Sequence, residues 1–280
     1  MTAVSDLLSG ERAAAQLSEL GVRRGGVLLV HASMRSVGAV DGGARTLVGA
    51  LRRALGPDGT LVVPSITPEN SDTSPAYRRS VHGLGEEGRE AVRAAMPPFD
   101  RATTPAPSVG RLAEAVRLTP GAERSGHPQT SFAALGPAAD ALTARHRPDC
   151  HYGEDSPLAA LYESDARILL LGTGFDTCTA FHLAEYRVAR PPLRRYRCVV
   201  TAEGRRRWWE YEDVDLDDSD FAALGRDFEE SDTTGAVRTG RVGAAYTRLV
   251  GLTAAVDFAA GWFAEHRVDR PADPAEAIRP

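Results

Sequence analysis

The chain has 280 residues, 42% of them hydrophobic and 25% charged, with a formal net charge of -5. That length can bury a sizeable core, and the acidic balance argues against nucleic acid, whose binders carry a basic face. No apolar run nears the roughly 18–20 residues that span a bilayer, and Met1 to Glu11 lacks the basic start and apolar run of a secretory signal, so the sequence predicts a cytoplasmic protein.

All 33 basic residues are arginine. This excludes a Schiff-base lysine for pyridoxal phosphate and a Walker A lysine for a P-loop. Cys150, Cys178 and Cys198 have neither zinc-finger nor CxxC spacing and fit a reducing compartment as free thiols.

In chain order, residues 12–20 read as a helix and 27–30 as a short buried strand leading into His31-Ala32-Ser33. A helix over 44–55 follows, with Leu47, Val48, Leu51 and Leu55 on one face, then Gly56-Pro57-Asp58-Gly59 stops it before a strand at 61–63. This is a βαβ unit, expected to cross over right-handed. Residues 64–107 are rich in Pro, Ser, Thr and Asp, with one helix at 86–95. So long a loop region in a compact protein is usually functional. Helices at 109–117 and 137–145 flank a strand at 131–135, and 196–201 with 207–211 form an antiparallel hairpin turning at Glu203-Gly204. A last long helix is expected over 247–266, with a frayed Pro-rich tail after Arg270. No linker divides the chain. The expectation is one α/β domain over residues 1–280, on a mixed, mainly parallel sheet with an added antiparallel hairpin and a loop-rich insertion at about 65–107.

The most informative stretch is Arg167 to Tyr186. An apolar run ends in Gly172 and Gly174, a polar turn follows, and then comes a helical pattern carrying His182 near its start. Ligands of α/β proteins gather at the carboxyl ends of such strands. Glu185, three residues on, shares a helix face with His182 and can pair with it. A histidine oriented by a carboxylate is a competent general base, its ordinary pKa of about 6.5 being close to working pH. His-x-x-Glu spacing also occurs in metal sites, but no further ligand is spaced recognisably, so no metal is expected.

Two other features suggest ligands. Eleven acidic residues lie between Glu210 and Asp232 against one base, Arg226. Most such runs are solvated faces, but this one would attract a polycation, and Glu210 and Glu212 alternate to the same side of a strand. Near the N-terminal strand end, the glycines Gly42-Gly43 before a helix, with Arg35 close by, suit a phosphate or pyrophosphate. Neither this segment nor Gly172-x-Gly174 matches GxGxxG, so no Rossmann dinucleotide site is supported.

Several segments together resemble the aminoglycoside 3-N-acetyltransferase family of antibiotic-resistance enzymes. They are Val30 to Gly38, Gly59 to Pro64, Met96 to Asp100, Val109 to Glu114, Arg124 to Gly136, Gly172 to Glu185, and Arg241 to Ala245. The resemblance implies a layered α/β/α architecture distinct from the common N-acetyltransferase fold. It also implies acetyl transfer from acetyl-CoA to the 3-amino group of a 2-deoxystreptamine ring, in a ternary complex and as a monomer or homodimer. His182 would be the base, oriented by Glu212, with Thr179 or backbone amides holding the oxyanion. Glu212 competes here with the local pairing to Glu185, which the resemblance makes a substrate contact beside Asp213, Asp72 and Tyr77. His31, Ser33, Arg35, Ser108, Val109, His127 and Ser131 would line the coenzyme site. The chain departs from the family at Cys178, where relatives usually have asparagine, and over residues 68–95. Rival readings are a same-family acyltransferase for another amine and a non-catalytic binder of cationic antibiotics. A Ser-His hydrolase is disfavoured, since no GxSxG elbow is present.

Overall fold

Three apolar strands that each bury both faces form the centre of the structure, a computed structural model that describes residues 7–267. The elements run α1 (Gly10–Leu20), β1 (Val27–Ala32), α2 (Met34–Val37), α3 (Gly43–Leu55), β2 (Thr60–Pro64), α4 (Pro75–Ser80), α5 (Glu86–Ala95), α6 (Gly110–Arg117), β3 (Glu123–Arg124) and β4 (Phe132–Leu135). They continue with α7 (Ala139–Ala144), α8 (Pro157–Glu163), β5 (Arg167–Leu171), α9 (Phe181–Arg187), β6 (Leu193–Ala202), β7 (Arg205–Val214), α10 (Phe221–Ser231), β8 (Val237–Val242), β9 (Ala245–Gly251) and α11 (Leu252–His266). The expected Pro-rich tail after Arg270 lies outside the described residues.

Seven strands form one sheet in the order β3-β4-β2-β1-β5-β9-β8, and β6 pairs with β7 apart from it. The central trio β2-β1-β5 is parallel, with Leu28 opposite both Leu61 and Arg167, while β4, β3, β9 and β8 add antiparallel. The expected mixed α/β fold with a separate hairpin is therefore present, with parallel pairing confined to the middle. Successive residues of each central strand enter opposite cores. Leu28, Val30, Leu169 and Leu171 pack under α1, α3 and α6, whereas Leu29, Ile168 and Leu170 pack against α7 to α11. This double burial is why the strands read as unbroken apolar runs.

Two stretches differ from expectation. Residues 247–251, expected to begin the last helix, are the end of strand β9. Ala245, Thr247 and Leu249 are buried with Tyr246 exposed and Arg248 half-buried between them, a period of two that ends where Leu249 and Val250 are both buried. The acidic run contains α10, whose Phe221, Leu224 and Phe228 are buried at helical spacing. Apolar residues inside a charge run escaped a reading by net charge.

The region between β2 and β3 is held by the hairpin. Ser71 Oγ donates to the Arg197 carbonyl at 2.7 Å, Arg206 reaches the carbonyls of Met96 (3.1 Å) and Arg93 (2.7 Å), and the Phe99 amide meets the Val199 carbonyl at 3.3 Å.

Candidate active site

β1 and β5 run side by side in the same direction, so their carboxyl ends emerge together. Gly172, just past β5, has φ +68°, and a Cβ there would lie 2.5 Å from Ser36 Cβ. Only glycine fits so close an approach in that conformation. A short turn over residues 175–177 then leads into α9. Phe181, Leu183 and Ala184 bury the inner face of this helix, which leaves His182 on the other side with its side chain 13% exposed.

The His182 ring is fixed on three sides. Tyr152 stacks on it at 4.8 Å and 5° between planes, and Phe221 leans against it at 4.8 Å. Nδ1 lies 2.6 Å from Glu185 Oε2. A carboxylate bound to a guanidinium only accepts, so Nδ1 donates and the lone pair of neutral imidazole falls on Nε2. Nε2 has no hydrogen-bond partner among the described residues and is not among the buried unpartnered atoms. The tautomer that a base requires is thus built in.

Glu185 is 3% exposed, and its other oxygen accepts from Arg267 Nη1 (2.6 Å) and the Asp217 amide (3.0 Å). With both oxygens engaged it orients His182, and the expected substrate contact at Glu185 is corrected. The expected pairing of His182 with Glu212 is corrected too. On β7, Tyr211 and Asp213 turn inward, while Glu210 and Glu212 are exposed on the opposite face.

Asp213, expected to meet substrate, is an internal acceptor instead. Its Oδ2 receives the His151 amide (2.7 Å), the Tyr186 hydroxyl (2.6 Å) and His151 Nδ1 (2.6 Å). Burial works against this carboxylate, yet the bonds from His151 and Tyr186 hold its pKa below the ordinary value.

Two expected coenzyme contacts are also interior. His127 and Ser131 are both 0% exposed. The Gln129 and Thr130 amides each donate to His127 Nδ1 at 3.1 Å, and its ring lies 4.8 Å from His146 and 4.7 Å from His151. Ser131 Oγ donates to the Ser65 carbonyl (2.7 Å) and accepts from Arg124 (2.9 Å). Both pin a loop, while His127 Nε2 is buried without a hydrogen-bond partner. Their motif signalled a packed turn, which sequence alone does not distinguish from a binding loop.

The remaining candidates cluster near the strand ends. His31 is buried in β1, where desolvation, followed by the charge of His182, lowers its pKa to about 4. Ser33 caps α2 by accepting the Ser36 amide at 3.3 Å. Arg35 and Ser108 are exposed and Val109 is half-buried at the start of α6. Thr179 is buried, and its carbonyl accepts the His182 amide at 3.1 Å. The neighbouring Cys178 thiol is pushed up to about 12 by burial, which makes it a poor nucleophile.

Asp72 and Tyr77 lie in the insertion. Asp72 sits 3.3 Å from Arg197, its pKa raised because burial outweighs that cation, and the Tyr77 hydroxyl accepts from Arg93 at 2.9 Å. Sequence reasoning missed Tyr152, Phe221 and Arg267. Each comes from a distant segment, and none carries a local signal.

A cavity of about 950 Å³ runs between α3 and α6 from Pro107 and Gly110, with Arg45, Arg52 and Arg111 among its walls. His182 is not part of its lining. Among the described residues no group of three His, Cys, Asp or Glu is placed to hold a metal ion, and no helix is long and apolar enough to cross a membrane.

Comparison with known proteins agrees with this architecture. The sequence profile for aminoglycoside 3-N-acetyltransferase matches residues 29–264. Aminoglycoside N(3)-acetyltransferase VII of Streptomyces paromomycinus is 38% identical over 270 residues, 91% of either chain. The crystal structure of YokD from Bacillus subtilis superposes with a TM-score of 0.87 at 34% identity, covering 95% of this chain and 96% of that one. The AAC-IIIb binary complex with CoASH superposes with a TM-score of 0.80 at 32% identity, covering 95% and 100%. On profile, sequence and fold together, the chain belongs to the aminoglycoside 3-N-acetyltransferase family.

Proposed function

We propose that this protein transfers acetyl from acetyl-CoA to the 3-amino group of a 2-deoxystreptamine aminoglycoside. The observation that carries the reading is His182 itself, with Nδ1 locked to Glu185 and Nε2 unpartnered at the carboxyl edge of the parallel strands. An alkyl amine has a pKa of about 10.4 and arrives mostly protonated. Asp218, exposed on the loop that reaches Glu185 through the Asp217 amide, attracts that cation. The ammonium first gives one proton to solvent; as the neutral amine attacks the thioester carbonyl, the N–C bond forms and Nε2 takes a second proton from that nitrogen. The Thr179 hydroxyl or nearby backbone amides hold the oxyanion. The C–S bond then breaks, and the departing thiolate takes the proton back from His182. Glu185 stabilises the imidazolium in between.

The arginine-lined cavity beside Ser108 and Val109 suits the phosphates of the coenzyme. Incubation with acetyl-CoA and a kanamycin- or gentamicin-type drug, followed by mass spectrometry and free-thiol release, tests the reading. A singly acetylated drug is expected; no product with any aminoglycoside would overturn it. A second reading, a same-family acyltransferase for a different amine, draws support from the departures from the family pattern at Cys178 and over residues 68–95. Product formed only with simple amines in the same assay would favour it.

A further inference from the structure

Glu185 does not orient His182 unaided. Its carboxylate is almost wholly buried, where an unpaired charge is strongly disfavoured. The cation that compensates it comes from just beyond the last helix, 82 residues away in sequence. Arg267 donates from Nη1 to Glu185 Oε1 at 2.6 Å, from Nε to Asp220 Oδ2 at 2.8 Å, and from Nη2 to Asp220 Oδ1 at 2.5 Å and the Asp217 carbonyl at 2.7 Å. Its Cζ lies over the Phe263 ring, 3.8 Å from the centroid, and its side chain is 15% exposed. A planar fork held by two carboxylates, a carbonyl and an aromatic face has little freedom to move.

We propose that Arg267 is a positioning residue of the His182–Glu185 pair, an inference that rests on His182 being the base. By claiming Oε1, it leaves only Oε2 for the imidazole and fixes the angle at which Nε2 is presented. Its positive charge also tempers the pull of Glu185 on the imidazolium, keeping the proton transferable to the leaving thiolate. The other groups around His182 are Tyr152 and Phe221, in ring contact, and the imidazoles of His31 and His151, close enough to interact electrostatically. Arg267 is the cation bonded to its carboxylate partner.

The test compares Arg267→Ala, Arg267→Lys and Asp220→Asn with wild type. It measures kcat and KM for both substrates, and the titration of His182 by NMR in the ligand-free protein. Arg267→Ala should lower kcat roughly tenfold or more, as loss of such outer partners does elsewhere, with KM for acetyl-CoA unchanged. In the same variant the NMR titration of His182 should move to higher pH than in wild type, because an adjacent carboxylate freed of its cation favours the imidazolium. Arg267→Lys keeps the charge but not the fork and should recover part of both. Asp220→Asn, which loosens Arg267 without touching Glu185, should move both in the same direction by less.

A folded Arg267→Ala protein with wild-type kcat and an unshifted titration overturns the proposal. So does a fall in activity that tracks a fall in Tm while the titration stays put, since that describes a packing brace alone. If Arg267→Ala does not fold, an unshifted titration in both Arg267→Lys and Asp220→Asn overturns it equally. If wild type acetylates no amine, the functional reading fails, whereas the titration still decides whether Arg267 governs His182.

Discussion

An imidazole serves as a base only when one nitrogen is committed and the other is open, and His182 meets that condition through a single 2.6 Å bond to Glu185. General-base assistance is typically worth about 10²–10⁴-fold, so His182→Ala should lose turnover on that scale. Acetyl-CoA binding should remain near wild type, as a thermal-shift titration would register. Glu185→Gln keeps the shape but removes the charge that stabilises imidazolium, and steady-state kinetics should show it far more damaging than Glu212→Gln. Equal losses at the two positions would reinstate Glu212. The contrast follows from parity along one strand. Glu212 and Asp213 are neighbours, and the pleat sends one to solvent and the other inward.

At the scale of elements, the strand–turn–helix carrying His182 was legible because its signals are local: a doubly buried apolar run, a glycine that nothing else can replace, and a helical pattern after it. The pairing of His182 with Glu185 was legible from i,i+3 spacing alone. What escaped was tertiary. Tyr152, Phe221 and Arg267 meet His182 or its carboxylate from three separate segments, and no periodicity announces such a meeting. Strands β8 and β9 were hidden because Thr247 to Val250 runs straight into α11 without a break longer than Gly251. The inward face of the hairpin has its own requirement. Asp213→Ala would leave His151 and Tyr186 without their shared acceptor, and each buried donor left unsatisfied costs about 1–3 kcal/mol. Urea unfolding should therefore show a lower midpoint with an unchanged slope.

For the whole molecule, the buried histidines set the response to acid. Desolvation lowers His31 and His146 to about 4, and His127 and His151 are lowered as well. The unfolded chain binds protons at these sites near pH 6.5, whereas the folded chain refuses them. Their neutral forms favour the fold fully above that value, and the advantage is lost as pH falls from about 6.5 toward 4. His31 and His146 each contribute about 1.4 kcal/mol per pH unit inside that window. Urea midpoints measured from pH 7.5 down to 4.5 should fall steeply below 6.5, and a flat profile would contradict the buried neutral cluster.

The insertion and the hairpin are bonded to one another along the rim, through Ser71, Phe99 and Arg206. His31 on β1 and His182 on α9 take no part in these bonds. Such bonds join two segments far apart in sequence, so exchanging the two rim segments together, as a matched pair, is the natural unit for transplanting the rim.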